Sequence, residues 1–93
     1  RPEILGAPRP SARTYALYAL GTIGDDAAVS TLERALQGGG DWKDRGAAAK
    51  ALGFALTRNE RARGPLERAT QEPDPFVRKK AEEALQGKSR WEV

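Results

Sequence analysis

The sequence predicts an all-α protein, a right-handed α-solenoid fragment of about two and a half helix pairs with five helices. Three observations predict this class. Apolar residues recur at helical spacing, and no segment alternates as a strand would. Gly and Pro residues separate the helical stretches. Three of the segments repeat with a period of 32 and then 33 residues, which is typical of stacked two-helix units.

Helix boundaries follow from capping residues. Asp25, Asp41 and Asp74 each precede a helical stretch as an N-cap, because a carboxylate accepts hydrogen bonds from the N–H groups of the first turn. The fourth helix is expected to break near Gly64 and Pro65. The predicted helices cover residues 11–23, 26–37, 42–56, 60–71 and 75–86.

The internal repeat is the strongest signal in the chain. Arg13, Arg45 and Arg78 are each followed by Ala three and six residues later and by Leu seven residues later. The intervening helices repeat too, since Leu-Glu-Arg-Ala occurs at 32–35 and again at 66–69. Two registers that agree on one period indicate repeated units of two helices.

The repeated unit resembles a HEAT repeat, of the short bacterial variety called HEAT-like or phycobilisome-lyase-like. Residues 74–78 read Asp-Pro-Phe-Val-Arg, the phrase that opens the second helix in that family. The Ala-Leu-Gly to which the helix continues in that family occurs in the two earlier units, at 19–21 and 51–53. The likeness covers residues 10–87, although Asp44 stands where the family has Val. It implies an architecture and is almost silent on activity.

Three stretches of different composition divide the chain. A Pro-rich lead-in or linker stub is expected over 1–10, a HEAT-like repeat domain over 11–87, and a tail over 88–93. The chain begins with Arg and contains no Met, so we expect it to be excised from a longer protein. The compartment is left open, with the cytoplasm as the default expectation.

Composition excludes several classes of chemistry. The chain has neither Cys nor His, which removes disulfides, thiolate or imidazole metal sites and His general bases. Adjacent carboxylates at 25–26 and 82–83 are assigned to a helix start and a solvated face. No apolar run approaches the ~20 residues of a membrane span. We therefore expect no catalytic residue, metal, cofactor or membrane, and a protein that is not an enzyme.

The three repeated arginines, and the Asp that stands four positions before the second and the third of them, form a series that we call the ladder. The members are Arg13, Arg45, Arg78, Asp41 and Asp74. One interpretation is a positive track for an anion. The favoured interpretation is structural: each Asp caps its helix, and each Arg bonds carbonyls or caps of the neighbouring unit.

The repeated helices are expected to have a constant buried face and a variable exposed face. The constant face contains Ala16, Ala19 and Leu20, then Ala48, Ala51 and Leu52, then Val77, Ala81, Ala84 and Leu85. The variable face is predicted to line the concave surface that solenoids use for binding. Its predicted partner-binding residues are Thr14, Leu17, Tyr18, Lys50, Lys79, Glu82 and Glu83. Leu17 and Tyr18, as its large apolar groups, are the expected anchors, unless they pack beneath other parts of the chain.

Three functions are compatible with these residues. The favoured one is a non-catalytic scaffold that binds another protein or another domain of the parent chain. The second is a helical domain of a larger enzyme, such as a bilin lyase-like subunit or the appendage of a hydrolase. The third is nucleic-acid binding, suggested by basic residues at 58–68 and 78–80. Glutamates lie among those basic residues and no aromatic residue is interleaved, so nucleic acid is disfavoured.

Overall fold

A computed structural model describes residues 11–38 and 40–89 of the chain. Within those residues it contains α-helices and no strand, which confirms the predicted all-α class. A single turn of 3-10 helix, Glu60–Ala62, precedes the fourth helix. The predicted lead-in over 1–10 and the last residues of the predicted tail, 90–93, lie outside the described residues. The five helices are α1 Ala12–Ile23, α2 Asp26–Gln37, α3 Trp42–Leu56, α4 Arg63–Ala69 and α5 Pro75–Leu85.

Local capping explains why the helix ends agree with the prediction to within a residue or two, α4 aside. The Ser11 hydroxyl accepts from the backbone N–H of Thr14 at 3.1 Å, so Ser11 caps α1 and is not its first residue. The Asp25 carboxylate accepts from the N–H of Ala28 at 2.8 Å. Gly24 ends α1 in the left-handed conformation, with φ 68°, which Gly adopts without steric cost.

The fourth helix is shorter than the predicted 60–71. Its break falls at Arg63, where the 3-10 turn gives way to α4. Asn59 begins that turn by accepting from the N–H of Arg61 at 3.1 Å. Pro65 lies in the first turn of α4, where a backbone N–H has no partner within its own helix. The proline therefore marks a helix start and does not interrupt the helix.

The helices form two layers, with α1, α3 and α5 in one and α2 and α4 in the other. Helix α3 lies in the middle and packs against all four of the others. Leu32, Leu52, Leu66 and Val77 are the largest fully buried side chains, and they come from both layers. The hydrophobic core thus lies between the layers and around α3.

Small residues allow the helices beside α3 to approach it closely. A Cβ atom at Gly21 would lie 2.3 Å from the backbone oxygen of Ala51, so α1 and α3 meet backbone to backbone. A Cβ at Gly53 would lie 2.7 Å from the Cβ of Ala84 on α5. Larger side chains at these positions would force the helices apart.

The predicted buried face of α1 is wrong. Leu17, expected on the exposed face, is buried with Gly21, whereas Ala16 and Ala19 are exposed and Leu20 is half-buried. The reason is that, among the described helices, α1 meets α3 through the side that carries Gly21, which lies against the backbone of Ala51. Leu17 lies four residues before Gly21, on the same side of the helix, and belongs to the core.

The predicted exposure of Lys50 is wrong as well. Every residue of α3 from Gly46 to Ala55 is buried, because α3 has neighbours on both sides and in the second layer. Lys50 is only 7% exposed, and its Nζ lies 5.5 Å from the centre of the Tyr18 ring. In α5 the expected burial of Val77 and of the alanines at 81 and 84 is confirmed.

Burying a charge at the centre of α3 should unfold the protein. We expect Leu52→Asp to lower the free energy of unfolding by about 3 kcal/mol or more, because Leu52 is fully buried and the carboxylate would have no partner. The matched control is Lys79→Asp on the exposed side of α5, with a change of about 0.5 kcal/mol or less. Urea denaturation measures both, and equal losses would contradict the assignment of the faces. Lys50→Asp should also destabilise, since Lys50 is buried.

The contact between α1 and α3 has its own test. Gly21→Ala should cost about 1–3 kcal/mol, because the added Cβ meets backbone that cannot move aside easily. Gly64→Ala is the control, since its Cβ would meet only the end of the Arg68 side chain at 3.5 Å. That change should be neutral or stabilise by about 0.4–1 kcal/mol. Thermal melts in which both variants behave alike would show that α1 and α3 are not in close contact.

Candidate binding groove

One side of the α1–α3–α5 layer carries a groove that all three helices line. Its cavity measures about 170 Å³. Helix α3 forms the middle of the groove. Its Gly46 and Ala47 have little or no side chain, so space is left between the side chains of α1 and α5. The lining residues are Thr14, Tyr18, Lys43, Gly46, Ala47, Lys50, Phe76 and Lys80.

Aromatic rings form the apolar part of this groove. The rings of Trp42 and Phe76 meet edge to face, with centroids 5.0 Å apart. Tyr18 meets Phe54 in the same way at 5.4 Å. Gly46 makes room for Phe76, because a Cβ there would lie 2.1 Å from the Phe76 ring. Gly46 therefore allows α5 to place the Phe76 ring against α3.

Three lysine ammonium groups lie against aromatic rings at this groove. The Nζ atoms of Lys43, Lys50 and Lys80 lie 5.5, 5.5 and 5.3 Å from the centroids of the Trp42, Tyr18 and Phe76 rings. Contacts of this length are favourable cation–π interactions, more so where the cation is desolvated. Lys80 also forms an ion pair with Glu83 at 3.6 Å. The groove thus carries three lysines, of which Lys50 is buried and Lys80 is half-buried.

The predicted partner-binding residues fall into different places. Thr14, Tyr18 and Lys50 line the groove, although Tyr18 is only half-exposed and Lys50 is buried. Lys79 and Glu82 are exposed on α5 outside the lining, and Glu83 borders the groove through its pair with Lys80. Leu17 belongs to the hydrophobic core, so its expected role as an exposed anchor is wrong.

Sequence reasoning missed Lys43, Phe76 and Lys80 as groove residues. The repeat itself held a signal for two of them, because Lys43 and Phe76 each stand two residues before a repeated arginine. The predicted variable face begins one residue after each repeated arginine and so leaves out the residues before it. Extending the register back into the first turn would have placed both residues at equivalent positions.

The ladder arginines make contacts of three kinds. Arg45 donates from Nε to the carbonyl of Leu36 at 3.0 Å and pairs with Glu72, so it connects the end of α2 to the segment before α5. Arg78 donates to the carbonyls of Glu72 and Pro73, both at 3.0 Å. Arg13 is 72% exposed and pairs with the carboxylate of Asp44 on α3 at 2.9 Å.

The ladder carboxylates accept hydrogen bonds from helix N-termini. Asp41 accepts from the N–H of Asp44 at 2.9 Å. Asp74 accepts from the N–H groups of Phe76 and Val77 at 2.8 and 3.2 Å. These oxygens satisfy donors that have no partner inside the helix. None of the ladder side chains lines the groove.

Two observations concern the titratable groups of the described residues. Among residues 11–38 and 40–89, no cluster of three or more acidic side chains could hold a metal ion. The hydrogen bond from Arg63 lowers the pKa of the exposed Glu60 carboxyl, and Glu60 in turn raises the pKa of Arg63. A general acid at neutral pH needs a raised carboxyl pKa. This pair lies at the start of α4, outside the groove.

The fold and the groove together define a helical-repeat protein. The family of HEAT repeats matches residues 2–86, and the chain belongs to that family. HEAT repeats generally serve as protein-interaction scaffolds and are typically non-catalytic. The match reaches back to Pro2, within the segment predicted as a lead-in. No curated protein matches the chain. None of the described helices is both long and apolar enough to span a membrane.

The contacts of Arg45 and Arg13 predict different losses of stability on truncation. Arg45→Ala should cost about 1–3 kcal/mol, because it removes a half-buried ion pair and leaves the Leu36 carbonyl without its donor. Arg13→Ala should cost about 0.5 kcal/mol or less, since its pair is exposed. Denaturant titration of the two variants measures the difference. Similar small losses would mean that Arg45 does not connect the units.

Proposed function

We propose that this chain is a non-catalytic HEAT repeat scaffold that binds another protein, or another domain of its parent chain, through the groove of α1, α3 and α5. The observation that carries the proposal is a variable lining on a repeated frame. Tyr18, Lys50 and Glu83 occupy one position of the repeat, five residues after each ladder arginine, and lie at or beside the groove. A surface that varies while its support repeats is what solenoids use for binding.

The groove fits a protein segment better than it fits the alternative ligands. Small-molecule sites enclose about 300–1,000 Å³, and this cavity of about 170 Å³ is smaller. Nucleic-acid sites of this kind offer aromatic faces on which bases stack. Here Phe76 is engaged edge to face by Trp42 and has Lys80 near its ring. The groove is large enough to accept individual side chains of a partner, and this favours a polypeptide as its ligand.

The enzyme alternative has narrower support. The likeness to phycobilisome-lyase-like repeats depends on the Asp-Pro-Phe-Val-Arg phrase at 74–78 and on Ala-Leu-Gly at 19–21 and 51–53. In this chain Asp74 of that phrase caps α5 and Arg78 bonds two carbonyls, so both have architectural roles. A spectral shift of a bilin on mixing with the chain would favour the lyase-like alternative. A strongly salt-dependent complex with DNA would favour nucleic-acid binding.

The proposed function predicts where a partner touches the chain. A photo-crosslinking residue at Thr14 or Lys43 should capture a partner protein or domain, because both residues line the groove and Lys43 is exposed. The same residue at Arg34, exposed on α2, is the control and should capture much less. Crosslinking at Arg34 alone would mean that the partner binds the layer of α2 and α4, and it would contradict the proposal.

Affinity measurements with the captured partner test the groove quantitatively. Tyr18→Ala should weaken binding about thirtyfold, the loss typical of an aromatic anchor. Because the ring also packs on Phe54, this variant should melt earlier, and titrations must be run well below its melting temperature. Arg45→Ala is the comparison, with a larger effect on stability than on affinity. If a folded Arg45 variant loses binding while the Tyr18 variant keeps it, the arginine ladder is the site instead.

A further inference from the structure

We infer that the outer face of α1 is a docking surface for one further amphipathic helix of the same polypeptide, which packs on α1 as α1 packs on α3. The face consists of exposed apolar residues at helical spacing. Its members are Ala12, Tyr15, Ala16, Ala19 and Ile23. Two of them are large, since Ile23 is 58% and Tyr15 is 46% exposed. Gly21, at which α1 meets α3, lies on the opposite side of the helix. The inference goes beyond the proposed function, because this face is separate from the groove.

The repeat shows what covers the equivalent face of α3. The apolar residues one period after those of α1 are Ala47, Ala48, Ala51 and Ala55. All four are buried. Two contacts show that α1 covers this face. The backbone of Ala51 lies against Gly21 of α1. Asp44, at the start of the same face, pairs with Arg13 of α1 at 2.9 Å.

The same relation holds between α5 and α3. Val77, Ala81 and Ala84 stand one further period along the chain and are buried. Ala84 lies close to α3, because a Cβ at Gly53 would lie 2.7 Å from the Cβ of Ala84. In both α3 and α5, therefore, this face meets the helix before it in the layer. The exposed face of α1 is the same face of the repeat, so a helix that preceded α1 in the layer would cover it.

A helix at the edge of this layer can have a polar outer side, as α5 does. Its Lys79 and Gln86 are exposed, and they stand one period after the residues of α3 at which α5 packs closely, Gly46 and Gly53. Glu82, between them on the same side, is exposed too. A second copy of this chain that placed α5 on the outer face of α1 would bury these polar groups against apolar residues, which is costly. The composition of the two sides therefore disfavours head-to-tail stacking of copies.

The small size of the outer face favours a helix that is tethered to this chain. Helix α1 has 12 residues and so is about 18 Å long. One side of it offers much less surface than each partner buries in a stable complex of separate proteins, about 800 Å². A helix in the same polypeptide does not need that area, because the connection gives it a high effective concentration. Its chemistry follows from the contact between α1 and α3. It needs an apolar side with a small residue against Ala19, as Gly21 lies against Ala51.

The experiment supplies such a helix from the repeat of the chain itself. An extended protein contains the whole chain with one more copy of residues 12–43, a full period, inserted before Ala12. The first helix of the inserted copy has a glycine that can meet Ala19 of the original α1. The test variant is Ala19→Glu in the original copy. Its matched control is Ser30→Glu, which adds the same charge at an exposed position of α2. The chain of 93 residues carries the same two changes in parallel.

We expect the extended protein to melt about 5 °C or more above the original chain, because it buries the outer face of the original α1. Ala19→Glu should remove most of this gain by placing a carboxylate in the new contact. Ser30→Glu should lower the melting temperature by about 2 °C or less. In the original chain both changes should have similarly small effects, since Ala19 is exposed there. If the extended protein aggregates, Ile23→Gln in the inserted copy makes its own outer face more polar, and the comparison is repeated.

Several results would overturn the inference. An extended protein that folds in neither form, melts no higher than the original chain, or loses equal stability to both changes would show that the outer face does not accept a helix of the repeat. A large loss from Ala19→Glu in the original chain would mean that the chain itself covers the face. A dimer of the original chain in sedimentation, dissociated by Ala19→Glu, would assign the face to a second copy. None of these results concerns the groove, and crosslinking at Thr14 and Lys43 tests the proposed function separately.

Discussion

The close packing of α1 and α5 against α3 is the constraint on which the rest of the structure depends. The small residues at Gly21 and Ala51 bring α1 and α3 together at their backbones, and at Gly53 the backbone of α3 lies close to the Ala84 side chain of α5. Because the three helices lie so close, α3 is buried along most of its length. Because α1 and α5 flank α3 at close distance, side chains of all three helices line one groove.

The same packing explains which positions of the repeat recur and which vary. Alanine and leucine positions recur because each unit must meet its neighbours in the same way. Positions that line or border the groove have no such requirement, and Tyr18, Lys50 and Glu83 differ at one register position. Membership in the HEAT repeat family therefore accounts for the stacked helix pairs, while the residues that line the groove come from positions that vary between the units of this chain.

Much of the fold could be predicted from sequence, because caps and repeats are local signals. The bounds of α2 and α3 agree with the prediction at both ends, since Asp25, Asp41 and the glycines after residue 37 are visible in the sequence. Which face of each helix is buried was harder to predict. The helical phase of the repeat places Leu17 on the exposed face, but Leu17 belongs to the core that α1 forms with the other described helices. The same phase places Lys50 on that face, whereas Lys50 is buried and its ammonium lies near Tyr18. Which helices flank a residue is tertiary information, and periodicity alone does not contain it.

Native-state hydrogen exchange tests most directly whether α3 is the buried centre on which the other helices depend. The account predicts that amides of α3 between Ala48 and Leu52 exchange only through global unfolding, with a free energy of opening equal to that from denaturant titration. Amides of α1, at one side of its layer, should open locally at lower free energy. Exchange from α3 as fast as from α1 would contradict the account, because a helix that opens by itself cannot be what holds the others in place.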